Sequence, residues 1–254
     1  MTVQLSRIDE LALMTFDRPG VLNALNFELL RDLGAAIDQV AGGDARALLV
    51  TGAGSRAFCA GADVKELMDR SLAATRQGAA LGQAIFAKLD VLPIPSIALI
   101  NGYAFGGGLE LALACTFRIA LPGARLGLPE IKRGLTPGYG GTQRLPRLIG
   151  EARARDDPDR PHRHGRGGPA DRPRQPRRRP RYARSRSEFR TRDGVLQPAR
   201  PWFRPRRRAP RFADFAQGRL AIEADLNTLA FQTSDAAEGM TAFLDKRQPV
   251  FRDK

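Results

Sequence analysis

The feature that most limits how this chain can fold is a long stretch, residues 152–211, that cannot build a hydrophobic core. Its only branched aliphatic residues are Val195 and Leu196, and it holds ten of the chain's 18 prolines. Because so little apolar surface is available for burial, the stretch is predicted to be disordered. The core must therefore come from the flanking parts of the chain, residues 1–151 and 212–254.

The net charge of +14 is concentrated in the same part of the chain. Residues 151–211 hold 21 arginines, seven acidic residues and no lysine, so the remainder is neutral. We therefore do not expect a nucleic-acid or membrane partner from the overall charge. One alternative of another class stays open, because arginines interleaved with aromatic residues could bind RNA through phosphates and stacking. These aromatic residues are Tyr182, Phe189, Trp202 and Phe203.

The cysteine and histidine content excludes several kinds of site. Cys59 and Cys115 are too few for a disulfide framework, and their apolar contexts predict inert packing residues in a reducing compartment. His162 and His164 have a spacing seen in metal sites, but no partner ligands follow, so no metal is predicted. Because the N-terminus lacks an apolar signal core and no apolar run approaches about 18 residues, we expect a soluble, cytoplasmic protein.

Outside residues 152–211, strands and helices alternate, which predicts an α/β fold. Continuous apolar runs predict buried strands at 47–51 and 96–100. Asn26 is a candidate N-cap for a helix with an apolar face, and a loop is expected at 52–63. The other predicted elements are strands at 11–16 and 117–120, helices at 75–89 and 108–115, and C-terminal helices at about 214–231 and from Ser234 onward.

Two glutamates and two loops indicate proton transfer beside a stabilised anion. Adding water to a thioester with an adjacent double bond creates an enolate, which needs about two aimed hydrogen-bond donors. The amide of Gly107, in a glycine run that opens a predicted helix, and the amide of Ala60 are candidates. Glu110 and Glu130 can divide the proton transfers if their environments separate their pKa values.

Six segments form a joint pattern that is far more specific than any one of them. They are Arg18-Pro19 with 23–26, 58–66, 101–110, 127–130, 134–145, and 238–247 at the C-terminus. Together these segments resemble the crotonase superfamily, the enoyl-CoA hydratases and isomerases, and the resemblance covers about 195 of the 254 residues.

The resemblance implies repeated ββα units with C-terminal helices that help to build a homotrimer or hexamer. It implies an acyl-CoA substrate and no metal or redox cofactor. By position, the Ala60 and Gly107 amides would form the oxyanion hole. Glu110 would activate the water, and Glu130 would donate the α-proton. The substrate-binding residues would be Gly107 together with Ala60, Gly61, Ala62 and Asp63 of the CoA site.

Having both glutamates favours an enoyl-CoA hydratase that adds water to a 2-enoyl-CoA in a syn fashion. The alternatives within the superfamily are an enoyl-CoA isomerase and a specialised acyl-CoA hydratase or dehydratase. The acyl pocket is too poorly defined by the sequence to separate them.

The family pattern stops near Arg155 and returns near Phe212, although the spacing between the flanking motifs fits the family. GC-rich DNA read out of frame yields arginine, proline, alanine and glycine but little lysine. We therefore interpret residues 152–211 as frameshifted, with a genuine disordered insertion as the alternative. The chain could also be an inactive product, since each lost Leu-sized core residue costs about 2–5 kcal/mol against a total stability of about 5–15 kcal/mol.

Overall fold

Eight strands of the described residues form two sheets in the computed structural model, which describes residues 2–149 and 212–252. Both ranges belong to one compact unit. The strands are β1 (Val3–Ile8), β2 (Leu11–Phe16), β3 (Ala47–Gly52), β4 (Ala57–Cys59), β5 (Ser96–Ile100), β6 (Tyr103–Phe105), β7 (Phe117–Ala120) and β8 (Arg125–Gly127).

Helices cover these sheets and close the fold. They are α1 (Phe27–Ala41), α2 (Val64–Leu67), α3 (Leu72–Val91), α4 (Gly107–Ala114), α5 (Gly141–Ile149), α6 (Phe212–Ala230) and α7 (Ser234–Leu244), with short 3₁₀ turns at Pro19–Val21 and Pro129–Arg133. The predictions for residues 152–211, which concern disorder, RNA contacts and the two histidines, lie outside the described residues.

Three pairs of consecutive strands divide between the two sheets. The larger sheet has the order β1-β2-β3-β5-β7, with β1 and β2 antiparallel and the other neighbours parallel. The smaller, parallel sheet has the order β4-β6-β8. In each of the pairs β3–β4, β5–β6 and β7–β8, the second strand crosses to the smaller sheet, and a helical segment follows. The predicted ββα repeat with C-terminal helices is confirmed.

Helix α1 shows how local sequence produces an element. The Asn26 side chain accepts a hydrogen bond from the Leu29 N–H at 2.9 Å, which satisfies one of the free donors at the helix start. Leu30, Leu33 and Ile37 recur on one face of the helix and are buried against the sheet. The predicted cap and the predicted apolar face are both confirmed.

The short strands were missed by sequence analysis. The loop expected at 52–63 contains β4, and β6 and β8 were also not predicted. Each has three residues, too few for a strand periodicity to appear in the sequence. Their pairing depends on partners far along the chain, since Ala57 pairs with Tyr103 and Tyr103 with Arg125.

Two contacts place the helices that matter for the site. A Cβ at Gly108 would lie 2.1 Å from the Cys59 carbonyl oxygen, so only glycine lets α4 approach β4 this closely. The side-chain amide of Gln83 on α3 donates to the Leu220 carbonyl of α6 at 2.8 Å, which fixes the C-terminal segment on the core. Among the described helices, none is long and apolar enough to cross a membrane.

Candidate active site

A pocket of about 100 Å³ lies where the start of α4 meets the loop after β4 and the turn Pro129–Arg133. The C-terminal helices contribute Asn227 and Phe243 to its wall. Of the residues predicted for the site, the pocket is lined by Ala60, Gly61, Ala62, Gly107, Glu110 and Glu130. Asp63 does not line the pocket, because its carboxylate is turned to Arg18 at 3.2 Å.

Glu110 lies in the first turn of α4 and is 1% exposed. Its Oε1 accepts hydrogen bonds from the backbone N–H groups of Tyr139, at 2.8 Å, and Gly141, at 2.7 Å. Burial, together with the nearby charges of Glu130 and Glu223, raises the pKa of Glu110 well above its usual value. The two N–H donors act in the opposite direction, because they stabilise the ionised carboxylate.

Glu130 lies in the 3₁₀ turn Pro129–Arg133, on another wall of the pocket. Its Oε2 is buried and has no hydrogen-bond partner among the described residues. Burial raises the pKa of Glu130 to about 7, although the Arg133 guanidinium opposes the shift. Glu130 is therefore placed to carry a proton near neutral pH.

The amide of Ala60, predicted as an oxyanion donor, is already used within the fold. The Ala60 N–H donates to the Leu22 carbonyl at 3.0 Å. The prediction for Ala60 is therefore corrected, because this donor is committed to another part of the backbone. Ala60 still lines the pocket, so its predicted place beside the substrate stays a prediction.

The amide of Ala62, two residues further along the same loop, is oriented differently from that of Ala60. It pairs with Leu25 in a parallel bridge, in which the Leu25 N–H donates to the Gly61 carbonyl and the Asp63 N–H donates to the Leu25 carbonyl. In such a bridge the N–H of the central residue points away from the partner. Within the described residues, the Ala62 N–H has no acceptor.

The amide of Gly107 is the second free donor at the pocket. Gly107 is the first residue of α4, where an N–H has no acceptor inside the helix. The two loops meet here, since a Cβ at Gly61 would lie 3.8 Å from the Gly107 nitrogen. The Ala62 and Gly107 amides, the positive end of α4 and two carboxyl groups therefore surround one pocket.

Sequence analysis missed a third buried glutamate, Glu223 on α6, which is 4% exposed. Its carboxylate accepts from the backbone N–H groups of Gly140, at 2.5 Å, and Thr142, at 2.9 Å, and from the Thr142 hydroxyl. The sequence gives only a weak sign of this, because Glu223 shares a helix face with the apolar residues Leu220 and Ala224, and the burial of that face is seen only in the structure. An acidic residue on an apolar helix face is a candidate for a specific buried role.

A buried ion pair also supports this region. Arg144 on α5 donates to both carboxylate oxygens of Asp90 at the end of α3, at 2.6 and 2.7 Å. This bidentate pair fixes α5, which begins at Gly141, one of the two residues whose N–H groups donate to Glu110. The cysteines take no part in the site, because burial raises the pKa of Cys59 and of Cys115 to about 12 and leaves both as inert thiols.

Comparisons with known proteins identify relatives of this chain. Residues 7–156 match the family model described as enoyl-CoA hydratase/isomerase. The chain is 35% identical over 280 residues to the crotonyl-CoA hydratase of Syntrophomonas wolfei, covering 98% of this chain and 97% of the relative. It is 42% identical over 154 residues to the short-chain-enoyl-CoA hydratase of Clostridium acetobutylicum, covering 60% and 59% of the two chains.

A solved enoyl-CoA hydratase from Bacillus anthracis superposes with a TM-score of 0.59 at 40% identity, over 61% of this chain and 60% of that one. The chain therefore belongs to the enoyl-CoA hydratase/isomerase family of the crotonase superfamily. It is an enzyme of this type. The structural match spans about three fifths of the solved protein.

Proposed function

We propose that this protein hydrates a 2-enoyl-CoA by syn addition of water. The observation that carries the proposal is one pocket lined by two buried carboxyl groups, Glu110 and Glu130, and by the free amides of Ala62 and Gly107. The two amides would receive the thioester oxygen, and the positive end of α4 would add to the stabilisation of the enolate. The role expected of the Ala60 amide passes to Ala62.

The hydrogen bonds around the two carboxyl groups suggest which of them carries a proton. Burial raises the pKa of both groups, and neighbouring carboxyl groups that interact in this way titrate as a pair. Tyr139 and Gly141 donate to Glu110 and favour its ionised form, whereas Glu130 Oε2 receives no donor within the described residues. We assign the proton to Glu130.

This distribution gives a balanced reaction. Glu110 takes a proton from water as the water oxygen bonds to the β-carbon, and the electrons of the double bond move onto the thioester oxygen. Glu130 then gives its proton to the α-carbon as the enolate collapses. The pair ends with its proton on Glu110, and return of that proton to Glu130 resets the site. Addition is syn when both carboxyl groups face the same side of the double bond.

An enoyl-CoA isomerase of the same superfamily is the alternative within the family. Isomerisation moves one proton between two carbons and can use a single carboxyl group, so two carboxyl groups held in different environments favour hydration. A specialised hydratase or dehydratase would use the same four groups with a different acyl chain. RNA binding through residues 152–211 is a separate proposal, and salt-sensitive RNA affinity that survives deletion of residues 1–150 would support it.

The substrate and assembly expectations remain proposals. The backbone of residues 60–63 would hold the CoA portion, and no cofactor beyond the CoA of the substrate is needed for the steps above. A homotrimer or hexamer is favoured by one face of α6, on which Ile222, Leu226 and Leu229 are each more than half exposed. Large apolar side chains that recur at helical spacing on a surface are typical of an interface.

The decisive assay is loss of the conjugated enoyl-thioester absorbance when the purified protein meets crotonyl-CoA. Turnover would support hydration, and the 3-hydroxyacyl product distinguishes it from isomerisation of a 3-enoyl-CoA. A soluble protein that turns over only the 3-enoyl substrate would favour the isomerase. Absence of turnover with both substrates would contradict the proposed function.

The frameshift interpretation is tested by the nucleotide sequence. The family match ends at residue 156, whereas the alignment to the Syntrophomonas wolfei enzyme covers almost the whole chain, which supports a lost pattern at a kept length. Translation of codons 152–211 in the other frames should yield apolar helical periodicity. If no frame does so, a genuine insertion is the better interpretation.

A further inference from the structure

We propose that Glu223 is a positioning residue that acts through the segment Tyr139–Thr142 to hold Glu110 in place. The inference rests on the proposed function, since Glu110 is the group that Glu223 would position. Glu223 lies on α6 and has no counterpart among the residues that the sequence pattern suggested.

The segment Tyr139–Thr142 is shared between two buried carboxylates. The N–H groups of Tyr139 and Gly141 donate to Glu110, whereas those of Gly140 and Thr142 donate to Glu223. Successive amides therefore alternate between the two glutamates. Gly140 has a φ of +109°, a backbone conformation that residues other than glycine rarely adopt. The glycine conformation at this point therefore allows neighbouring N–H groups to point toward different carboxylates.

Only a carboxylate suits the position of Glu223. Each hydrogen-bonding group around it donates: the Gly140 and Thr142 N–H groups, the Thr142 hydroxyl and, at 3.4 Å, the side-chain amide of Gln83. A glutamine at position 223 would turn an NH₂ group toward one of these donors. A buried donor would then lose its acceptor, and the segment would shift to recover one.

Glu223 also acts on the titration of the catalytic pair. Its negative charge raises the pKa of both Glu110 and Glu130. Two other charged groups among the described residues line the same pocket: Arg133, which lowers the pKa of Glu130, and Arg70. Removing the Glu223 charge should therefore lower the pKa of Glu130, an effect that a purely structural role would not produce.

The test compares Glu223→Gln with Asp90→Asn in the full-length protein. Both substitutions remove a largely buried carboxylate near α5, but Asp90 binds the Arg144 side chain and accepts no hydrogen bond from the segment Tyr139–Thr142. With crotonyl-CoA, E223Q should lower kcat by about 10- to 100-fold and change KM little, because a small misplacement of a catalytic group has this effect. The alkaline limb of its pH profile should move to lower pH.

Asp90→Asn should lower the melting temperature and leave the pH limb unchanged. If E223Q retains the wild-type kcat and pH limb, the proposal is wrong. The same holds if E223Q and D90N lose kcat in proportion to their loss of stability, since the role of Glu223 would then be structural.

A milder pair keeps the proposal testable if E223Q does not fold. Thr142→Val removes one hydroxyl donor to Glu223, and Thr142→Ser keeps it. T142V should turn over crotonyl-CoA several-fold more slowly than T142S, in line with the loss of one buried hydrogen bond. Equal rates for the two variants would overturn the inference.

A readout without turnover separates this inference from the proposed function. Hydrogen exchange at the Tyr139 and Gly141 amides reports directly on the segment that holds Glu110. Under conditions that give the two variants equal stability, these amides should exchange faster in E223Q than in D90N. This result is expected whether or not the wild type hydrates crotonyl-CoA. Equal protection in the two variants would contradict positioning by Glu223.

Discussion

The Glu130 carboxyl group lies directly against the backbone of Gly106. A Cβ added at position 106 would lie 2.7 Å from Glu130 Oε1, closer than a Cβ atom approaches another heavy atom in folded proteins. Gly106 also has a φ of +51°. The glycine run before α4 therefore does two things: it lets the chain turn into the helix, and it leaves room for the second carboxyl group.

Gly106→Ala should reduce hydration far more than it reduces stability. The new methyl group would displace the Glu130 carboxyl group, and the strained backbone would cost about 1–3 kcal/mol. Crotonyl-CoA turnover and thermal melting measure the two effects. Gly20→Ala is the matched control, because a Cβ there meets nothing within 4 Å. Normal turnover by G106A would show that Glu130 does not need its present position.

Glu130→Gln should remove most hydration without unfolding the protein. The amide keeps the shape of the side chain but cannot donate an acidic proton, and loss of a general acid lowers kcat by about 10²- to 10⁴-fold. Circular dichroism should match the wild type. Glu238→Gln, which changes a partly exposed glutamate of α7 that pairs with Arg247, should leave the rate unchanged. Near-normal turnover by E130Q would contradict the assignment.

The rate should fall as pH rises through about 7. Since burial raises the pKa of Glu130 to about 7, this group loses its proton above that pH and can no longer protonate the α-carbon. The alkaline limb of kcat/KM reports this ionisation in the free enzyme. A rate that stays constant between about pH 6 and about pH 9 would be incompatible with Glu130 as the acid.

Deleting a single backbone N–H distinguishes Ala62 from Ala60. Replacement of Ala62 by lactic acid, which exchanges the amide for an ester, should lower kcat by about 10²- to 10³-fold, as loss of one oxyanion donor does. The same replacement at Ala60 removes the bond to Leu22 and should cost about 1 kcal/mol of stability with little effect on rate. The opposite pattern would return the oxyanion role to Ala60.

Local sequence predicted the parts of the fold whose signals are local. The cap at Asn26, the apolar face of α1 and the buried strands β3 and β5 each follow from residues close together in the chain. The two glutamates were found because glycine and proline mark the turns before them. The three-residue strands were missed because they are defined by their partners.

The amides could not be assigned from sequence for the same reason. Which N–H is free after β4 depends on the bridge between Leu25 and Ala62, a pairing between distant residues. Glu223 was missed because a glutamate on a helix is usually solvated. Its burial becomes evident only when α6 packs beside the start of α5. Glu223 and its donor Gly140 are 83 residues apart in the chain.

That separation along the chain has a consequence for how the enzyme is inherited and made. Both carboxyl groups proposed to react lie before residue 150, yet the acceptor for Gly140 and Thr142 lies on α6. A shortened product would contain every reacting group and lack the support of Glu110. If Glu223 positions Glu110 as proposed, a change of reading frame that alters α6 would slow hydration even where every reacting group is translated correctly.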